Sequence, residues 1–122
     1  MLQIVPDAEI EQDAEVDLGD EIYCVACGHT VTRHLWRVSR GDDHEHVFFN
    51  PAGMMFRVLC FKEAPGVARH GAPSDEFSWF KGYAWRVSAC SGCGDHLGWQ
   101  FSSADDVFFG LIKPKLTTTK RA

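Results

Sequence analysis

The sequence predicts an all-β domain, and three observations carry that expectation. Short runs of β-branched and aromatic residues recur between clusters of Gly, Pro, Asn and Asp, the pattern of strands joined by turns. The longest helical stretch is a single turn around Ser103 to Val107, where Ser102 or Ser103 stands ready to cap it. Two C-x-x-C-G motifs lie near opposite ends of the chain and offer a staple for the thin core of a 122-residue domain.

Taken in order, residues 1–21 carry Asp7, Glu9, Glu11, Asp13, Glu15, Asp17, Asp20 and Glu21 and no base. They read as a solvated acidic arm or an edge strand, with contact to a basic partner the lesser option. Val31 to Val38 reads as a strand of β-branched and aromatic residues. Val47-Phe48-Phe49 runs into Asn50-Pro51-Ala52-Gly53, a strong turn signal, and Met54 to Phe61 returns as the second arm of a hairpin. Lys62 to Glu76 contains Pro65, Gly66, Gly71 and Pro73 and reads as a long surface loop. Phe77 to Phe80, Lys81-Gly82 and Tyr83 to Val87 read as a second hairpin. Leu97 to Ser102 and Val107 to Ile112 are two further strands. Lys113 to Ala122 is basic, Thr-rich and expected to fray. The division that follows is an arm at 1–21, one domain at 22–116 and a flexible tail at 117–122.

Composition excludes several classes. A hydrophobic share of 45% and a charged share of 24% are ordinary for a globular protein, so the chain as a whole is not disordered. A formal net charge of −5 argues against a nucleic-acid footprint, which needs a clustered basic face. No apolar run reaches the roughly 18–20 residues of a membrane span. Met1 to Val5 is followed by acids rather than by the apolar region of a signal peptide. The expected location is the cytoplasm, where paired cysteines bind metal more often than they form disulfides.

Cys24-Val-Ala-Cys27-Gly28 and Cys90-Ser-Gly-Cys93-Gly94 are the strongest local signals. A two-residue spacer lets both sulfurs face one ion across a tight turn, and the following glycine permits the positive φ such a turn needs. Four thiolates complete a closed, tetrahedral, structural zinc site with no open position for chemistry. Redox pairs or two disulfides are the alternatives, but neither pair stands at the start of a helix after a strand. The ion would join the beginning of the domain to its end, where closing a long loop is expected to stabilise most. Cys60, between Leu59 and Phe61, reads as a buried small hydrophobe. His44 and His46 flank Glu45 in a polar stretch; two histidines at this spacing on a strand could share a metal, but a solvated loop is expected.

Three of the four tryptophans, Trp79, Trp85 and Trp99, crowd into one stretch. Trp99 shares its strand face with Phe101 by the period of two. An ordinary aromatic core is the competing reading. Two features weaken that reading: the tryptophans are flanked by turns and by Gly82 and Gly98, and Phe48, Phe49, Phe56, Phe61, Phe108 and Phe109 already supply core. A tryptophan-walled slot suits a cation over ring faces, or a flat, weakly polar ring whose edge meets backbone groups.

The segments Phe77-Ser78-Trp79-Phe80-Lys81-Gly82-Tyr83-Ala84-Trp85, then Cys90-x-x-Cys93-Gly-x-His96-Leu-Gly-Trp99-x-Phe101, then Phe108-Phe-Gly-Leu-Ile112, resemble the thalidomide-binding (CULT) domain family of cereblon. Cys24-x-x-Cys27-Gly-His29 and Asn50-Pro51-x-Gly53 fall where that family has its first knuckle and its Asn-Pro turn, so the likeness runs from about Cys24 to Leu116. The resemblance implies a β-tent, two antiparallel sheets pinned by one zinc ion, and a binding domain rather than an enzyme. It implies a cage walled by Trp79, Trp85 and Trp99 with Phe101 at its base. Asn50 and Pro51 would lie on the loop closing over the ligand, and the Phe77-Ser78-Trp79 segment would offer main-chain groups to the ligand's edge. The implied ligands are glutarimides and related cyclic imides: thalidomide-type compounds, uracil- or uridine-like rings, and C-terminal cyclic imides on proteins. At 122 residues the chain resembles a free-standing version, without the ligase-docking parts of cereblon.

Three other readings compete. Methionine-R-sulfoxide reductase shares the fold and a Cys-Gly-x-His-Leu-Gly-His segment, but here no cysteine follows Cys93, Trp99 replaces the histidine, and Cys60 lies before the second knuckle. A reader of methylated ammonium groups would add a carboxylate to the cage, and Asp75 and Glu76 are near. A purely structural or protein-docking module is the third.

Overall fold

The computed structural model describes residues 19–121. Positions 1–18 of the predicted acidic arm lie outside the described residues, as does Ala122. The described chain is all-β, with nine strands: β1 (Glu21–Cys24), β2 (Thr30–Arg33), β3 (Glu45–Phe49), β4 (Met55–Phe61), β5 (Val67–Ser74), β6 (Ala84–Cys90), β7 (His96–Ser102), β8 (Val107–Ile112) and β9 (Leu116–Thr117). They form two antiparallel sheets, a small one in the order β2-β1-β9 and a six-stranded one in the order β3-β4-β8-β7-β6-β5. The first cysteine knuckle is the turn between β1 and β2, and the second is the turn between β6 and β7. Each sheet therefore contributes one C-x-x-C turn, and the four sulfurs meet where the sheets meet.

The large sheet buries both faces, and the period of two sorts its residues between them. On β8, Phe109 and Leu111 join the core shared with the small sheet, alongside Ile22, Val31, Phe61 and Leu97. Phe108, one residue away, joins an aromatic cluster with Cys60, Phe80 and Phe101. Each such buried side chain stabilises by about 1.5–3 kcal/mol over the exposed state. The seam between the sheets is tight at Gly66, whose N–H donates to Val31 O at 3.0 Å and whose carbonyl accepts Ser91 N–H at 2.9 Å.

The β3–β4 hairpin, β7 and β8 follow the sequence expectation, with Gly53 at φ +87 closing the Asn50 turn. Four segments differ. The strand expected over Val31 to Val38 stops at Arg33, and His34–Trp36 forms a single 3-10 turn. The loop expected over Lys62 to Glu76 contains β5, an edge strand drawn into the sheet by pairing with β6, with a register shift between His70 and Ser74 around Gly71 and Pro73. Of the hairpin expected at Phe77 to Val87, the second arm enters β6 from Ala84, but Phe77 to Tyr83 belong to the connection between β5 and β6, because Phe77 (φ +55) and Gly82 (φ +87) leave the extended region. Ser103 to Val107 forms a turn closed by Ser103 N–H to Asp106 O, and no helix.

The ends of the described chain are held. Asp20 accepts Arg33 Nε at 3.0 Å. Thr117 pairs with Tyr23. The Arg121 guanidinium donates to Ala26 O at 2.7 Å, on the first knuckle.

Candidate functional site

The two knuckles are built alike. Gly28 N–H donates to Cys24 O and Gly94 N–H to Cys90 O, each at 2.8 Å. Gly28 and Gly94 stand at φ +80 and +81, a region that costs an L-residue about 1–2 kcal/mol. The thiols of Cys24, Cys27, Cys90 and Cys93 all lie within 4.8 Å of one another. Cys24 Sγ is 3.8 Å from Cys93 Sγ, and Cys27 Sγ is 3.6 Å from Cys90 Sγ. A tetrahedral ion with metal–sulfur bonds of about 2.3 Å spaces its ligands about 3.8 Å apart, so this donor set fits one. His29 N–H points at Cys27 Sγ (3.4 Å) and Gly92 N–H at Cys90 Sγ (3.3 Å), donors that favour thiolate. Burial pushes the Cys90 thiol up to about 12, and a cation is what lets a buried thiol ionise. The four cysteines can hold a metal ion, in a closed set that leaves no position for substrate.

Cys60 lies apart from this centre, fully buried, with its thiol raised to about 11 by burial. His44 and His46 are not solvated as expected. His44 Nδ1 meets Val38 O at 3.0 Å and its ring stands edge-on to Phe61, while His46 stacks on Phe48. His46 braces the aromatic cluster, and His44 the core shared with the small sheet.

That cluster opens into a cleft of about 540 Å³, within the ~300–1,000 Å³ of small-molecule sites. Of the predicted ligand-binding residues, Asn50, Pro51, Phe77, Trp79, Trp85, Trp99 and Phe101 line it. Ser78 does not; its hydroxyl turns away to donate to Phe80 O at 3.1 Å. The sequence reading missed Met54, Phe56, His96, Ile112 and Lys115, and had Glu76 only as the carboxylate of the methylated-ammonium reading. Phe56 was detectable, since strand alternation from the Asn50 turn turns it toward the same face as Cys60. His96 was visible in the motif but carried no assigned role.

The aromatic walls are locked by their neighbours. Trp99 receives Trp79 (4.7 Å, 79°), Phe56 (5.3 Å, 85°) and His96 (4.9 Å, 90°) edge-on. Phe48 stacks on Trp79 at 4.8 Å and 9°. Trp79 Nε1 donates to Phe49 O (3.0 Å) and Trp85 Nε1 to Glu76 O (2.7 Å), so these two indoles have their polar atoms bonded to the protein. His96 Nε2 is bonded to Gly98 O, and burial lowers the His96 pKa, keeping the ring neutral. Phe101 is 1% exposed and forms the floor, backed by Phe80 and Phe108.

Phe77 is 75% exposed and held at positive φ, an uncommon conformation for a bulky L-residue. Among the described residues, no protein hydrogen bond engages Phe77 C=O or Trp79 N–H. Both residues line the apolar cleft. Among the described residues, no helix is long and apolar enough to cross a membrane.

No family model matches the chain. Cereblon of Gallus gallus is 31% identical over 111 residues, covering 86% of this chain and 22% of its own length. Cereblon of Xenopus tropicalis is 35% identical over 74 residues (57% of this chain, 17% of the relative), and that of Drosophila grimshawi is 38% identical over 69 (52% and 10%). The chain spans about a fifth or less of the length of these relatives. With two antiparallel sheets, a four-cysteine cluster at their junction and the aromatic cleft, the chain belongs to the family of cereblon-like CULT domains.

Proposed function

We propose that the cleft captures a flat cyclic imide or uracil-like ring, with the ring between Trp79, Trp85 and Trp99 and over Phe101. The observation that carries this reading is the pairing of apolar walls with an unpartnered main-chain donor and acceptor at Trp79 N–H and Phe77 C=O. An imide edge presents an N–H beside C=O groups. Phe77 C=O would accept from the ring nitrogen and Trp79 N–H would donate to a ring carbonyl. Asn50 and Pro51 would close over the ring. Ring burial contributes at roughly 25 cal/mol per Å², and a dry box makes any unmatched polar atom costly, which supplies selectivity.

Zinc is the ion we assign to Cys24, Cys27, Cys90 and Cys93, because a closed set of four thiolates is its preferred structural environment. The reading is of a binding domain and not an enzyme. A reductase would need an accessible thiolate near the cleft, and Cys60 is buried with a raised pKa. Thiols gathered on one point fit the reducing cytoplasm. The partner is the small molecule; neither nucleic acid nor membrane is invoked.

Glu76 lines the cleft and favours the second reading, a methylated ammonium held over the indoles. One titration separates the two. Thalidomide and uridine should quench tryptophan emission with micromolar affinity, about −8 kcal/mol. An N-methylated imide should not bind, and trimethyl-lysine should not compete. Binding of the N-methylated compound equal to the parent would end the imide reading, and saturation by trimethyl-lysine alone would replace it with the ammonium reading.

A further inference from the structure

Three segments distant in sequence meet at one carboxylate behind the cleft. Asp106, in the turn between β7 and β8, accepts Arg40 Nε on Oδ2 at 2.8 Å and Arg40 Nη2 on Oδ1 at 3.0 Å, a two-pronged pair. Tyr83, the residue before β6, donates its hydroxyl to the same Oδ2 at 2.7 Å. The Arg40 guanidinium lies 5.1 Å from the Phe108 ring centroid, close enough for a cation–π contact. Both ion-pair partners keep only about a quarter of their side-chain surface exposed, 26% for Arg40 and 29% for Asp106. Charge-assisted hydrogen bonds of this kind are roughly twice as strong as neutral ones.

None of the three residues lines the cleft. Their reach into it runs through rings. Tyr83 stands edge-on to Phe108 (5.3 Å, 79°), and Phe108 stacks on Phe101, the floor of the cleft (5.3 Å, 23°). Tyr83 N–H also donates to Phe80 O at 3.0 Å. Phe80 meets Phe101 and Phe108 edge-on and is the chain neighbour of Trp79. The connection from β5 to β6, residues 75–83, supplies Glu76, Phe77 and Trp79 to the cleft. Tyr83 is the end at which that connection is fastened to the rest of the sheet.

We infer that Arg40 and Asp106 are positioning residues: through Tyr83 they latch the 75–83 connection shut and so set the affinity of the cleft. A ligand that binds only the latched arrangement has an apparent Kd divided by the latched fraction, so the latch acts on affinity without touching the ligand. The inference rests on the cyclic-imide reading only for its choice of probes.

The test compares the full chain with its Tyr83→Phe and Asp106→Ala variants, the first of which keeps the ring packing and removes only the hydroxyl. Amide hydrogen exchange without ligand should quicken about tenfold at Tyr83, whose N–H donates to Phe80 O, the loss expected for a hydrogen bond to a charged group. Exchange in β7 and β8 should stay at wild-type rates. Affinity for uridine and thalidomide, read by tryptophan quenching, should fall by a similar factor, and Asp106→Glu should recover part of it. Unchanged exchange at the Tyr83 amide, or exchange that rises equally in every strand, overturns the latch. Quickened exchange with unchanged affinity overturns its link to the ligand. If the wild-type chain binds neither probe while exchange responds as stated, the latch stands and the cyclic-imide reading falls.

Discussion

The indole N–H of Trp79 donates to the main-chain carbonyl of Phe49 at 3.0 Å, so one wall of the cleft hangs from the open edge of the large sheet. Strand β3 is that edge. His44 O and Asn50 N bond toward β4, and by alternation the carbonyl of Phe49 faces away from it. An unpaired edge carbonyl is a site for unwanted strand pairing; here it orients a tryptophan. The same bond occupies the one polar atom of that indole.

Trp79→Phe tests this relationship. A smaller phenyl ring replaces the indole, and the donor goes. Stability should fall by about 1 kcal/mol, the net value of such a bond. Ligand affinity should drop by roughly tenfold, because the wall is no longer held at a fixed tilt. Urea unfolding and tryptophan-quenching titration on the same sample give both numbers. An affinity equal to wild type would show that the Phe49 bond does not orient the wall.

The metal centre makes a second prediction. Native mass spectrometry should detect one zinc per chain, and Cys27→Ser or Cys90→Ser should release it. Each sheet contributes one knuckle, so loss of the ion separates the sheets rather than loosening one turn. Thermal unfolding should fall by on the order of 10 °C or more, the shift expected for a few kcal/mol in a domain of this size. A zinc-free chain with an unchanged melting temperature would remove the staple from the account.

How much of this was legible in the sequence follows from where each signal lives. The knuckles were, because Gly28 and Gly94 mark a local turn that needs no distant partner. The Asn50 turn and β8 were, for the same reason. Strand β5 was not, since beyond the buried Val67 its run is largely exposed, contains Gly71 and Pro73, has no strand pattern of its own and is extended only because β6 pairs with it. The aromatic run Phe77 to Tyr83 misled in the opposite sense. Its residues have high β propensity, but the positive φ of Phe77 and Gly82 bends it into a connection. The aromatic cluster was visible as composition, while the Arg40–Asp106–Tyr83 contact joins three segments that nothing in the linear order links.

The seam between the sheets predicts an asymmetry among glycines. A Cβ on Gly66 would stand 2.0 Å from Thr30 O and 2.5 Å from Val31 Cα, both backbone atoms that cannot swing aside. Gly66→Ala should therefore cost about 3 kcal/mol, at the upper end of overpacking penalties. Gly53 has φ +87, but a methyl added there would meet nothing within 4 Å, so Gly53→Ala should cost only the left-handed backbone penalty of about 1–2 kcal/mol. Denaturant midpoints of the two variants check the ranking.

Acid stability supplies the last prediction, and Asp106 sets its sign. The Arg40 guanidinium, then the Tyr83 hydroxyl, hold the Asp106 carboxyl below its ordinary 3.8. As pH falls, the unfolded chain takes up this proton before the folded one does, so the equilibrium is drawn toward unfolding. The contribution of Asp106 is complete above the ordinary value and is lost as pH drops through the lowered one. Asp106→Asn should therefore be less stable than wild type near neutrality, and its unfolding free energy should fall less steeply than wild type below about pH 4. Urea titrations at a series of pH values measure both slopes. Parallel slopes would mean that this carboxylate gains nothing from Arg40 on folding, because a group with the same pKa in both states cannot make stability depend on pH.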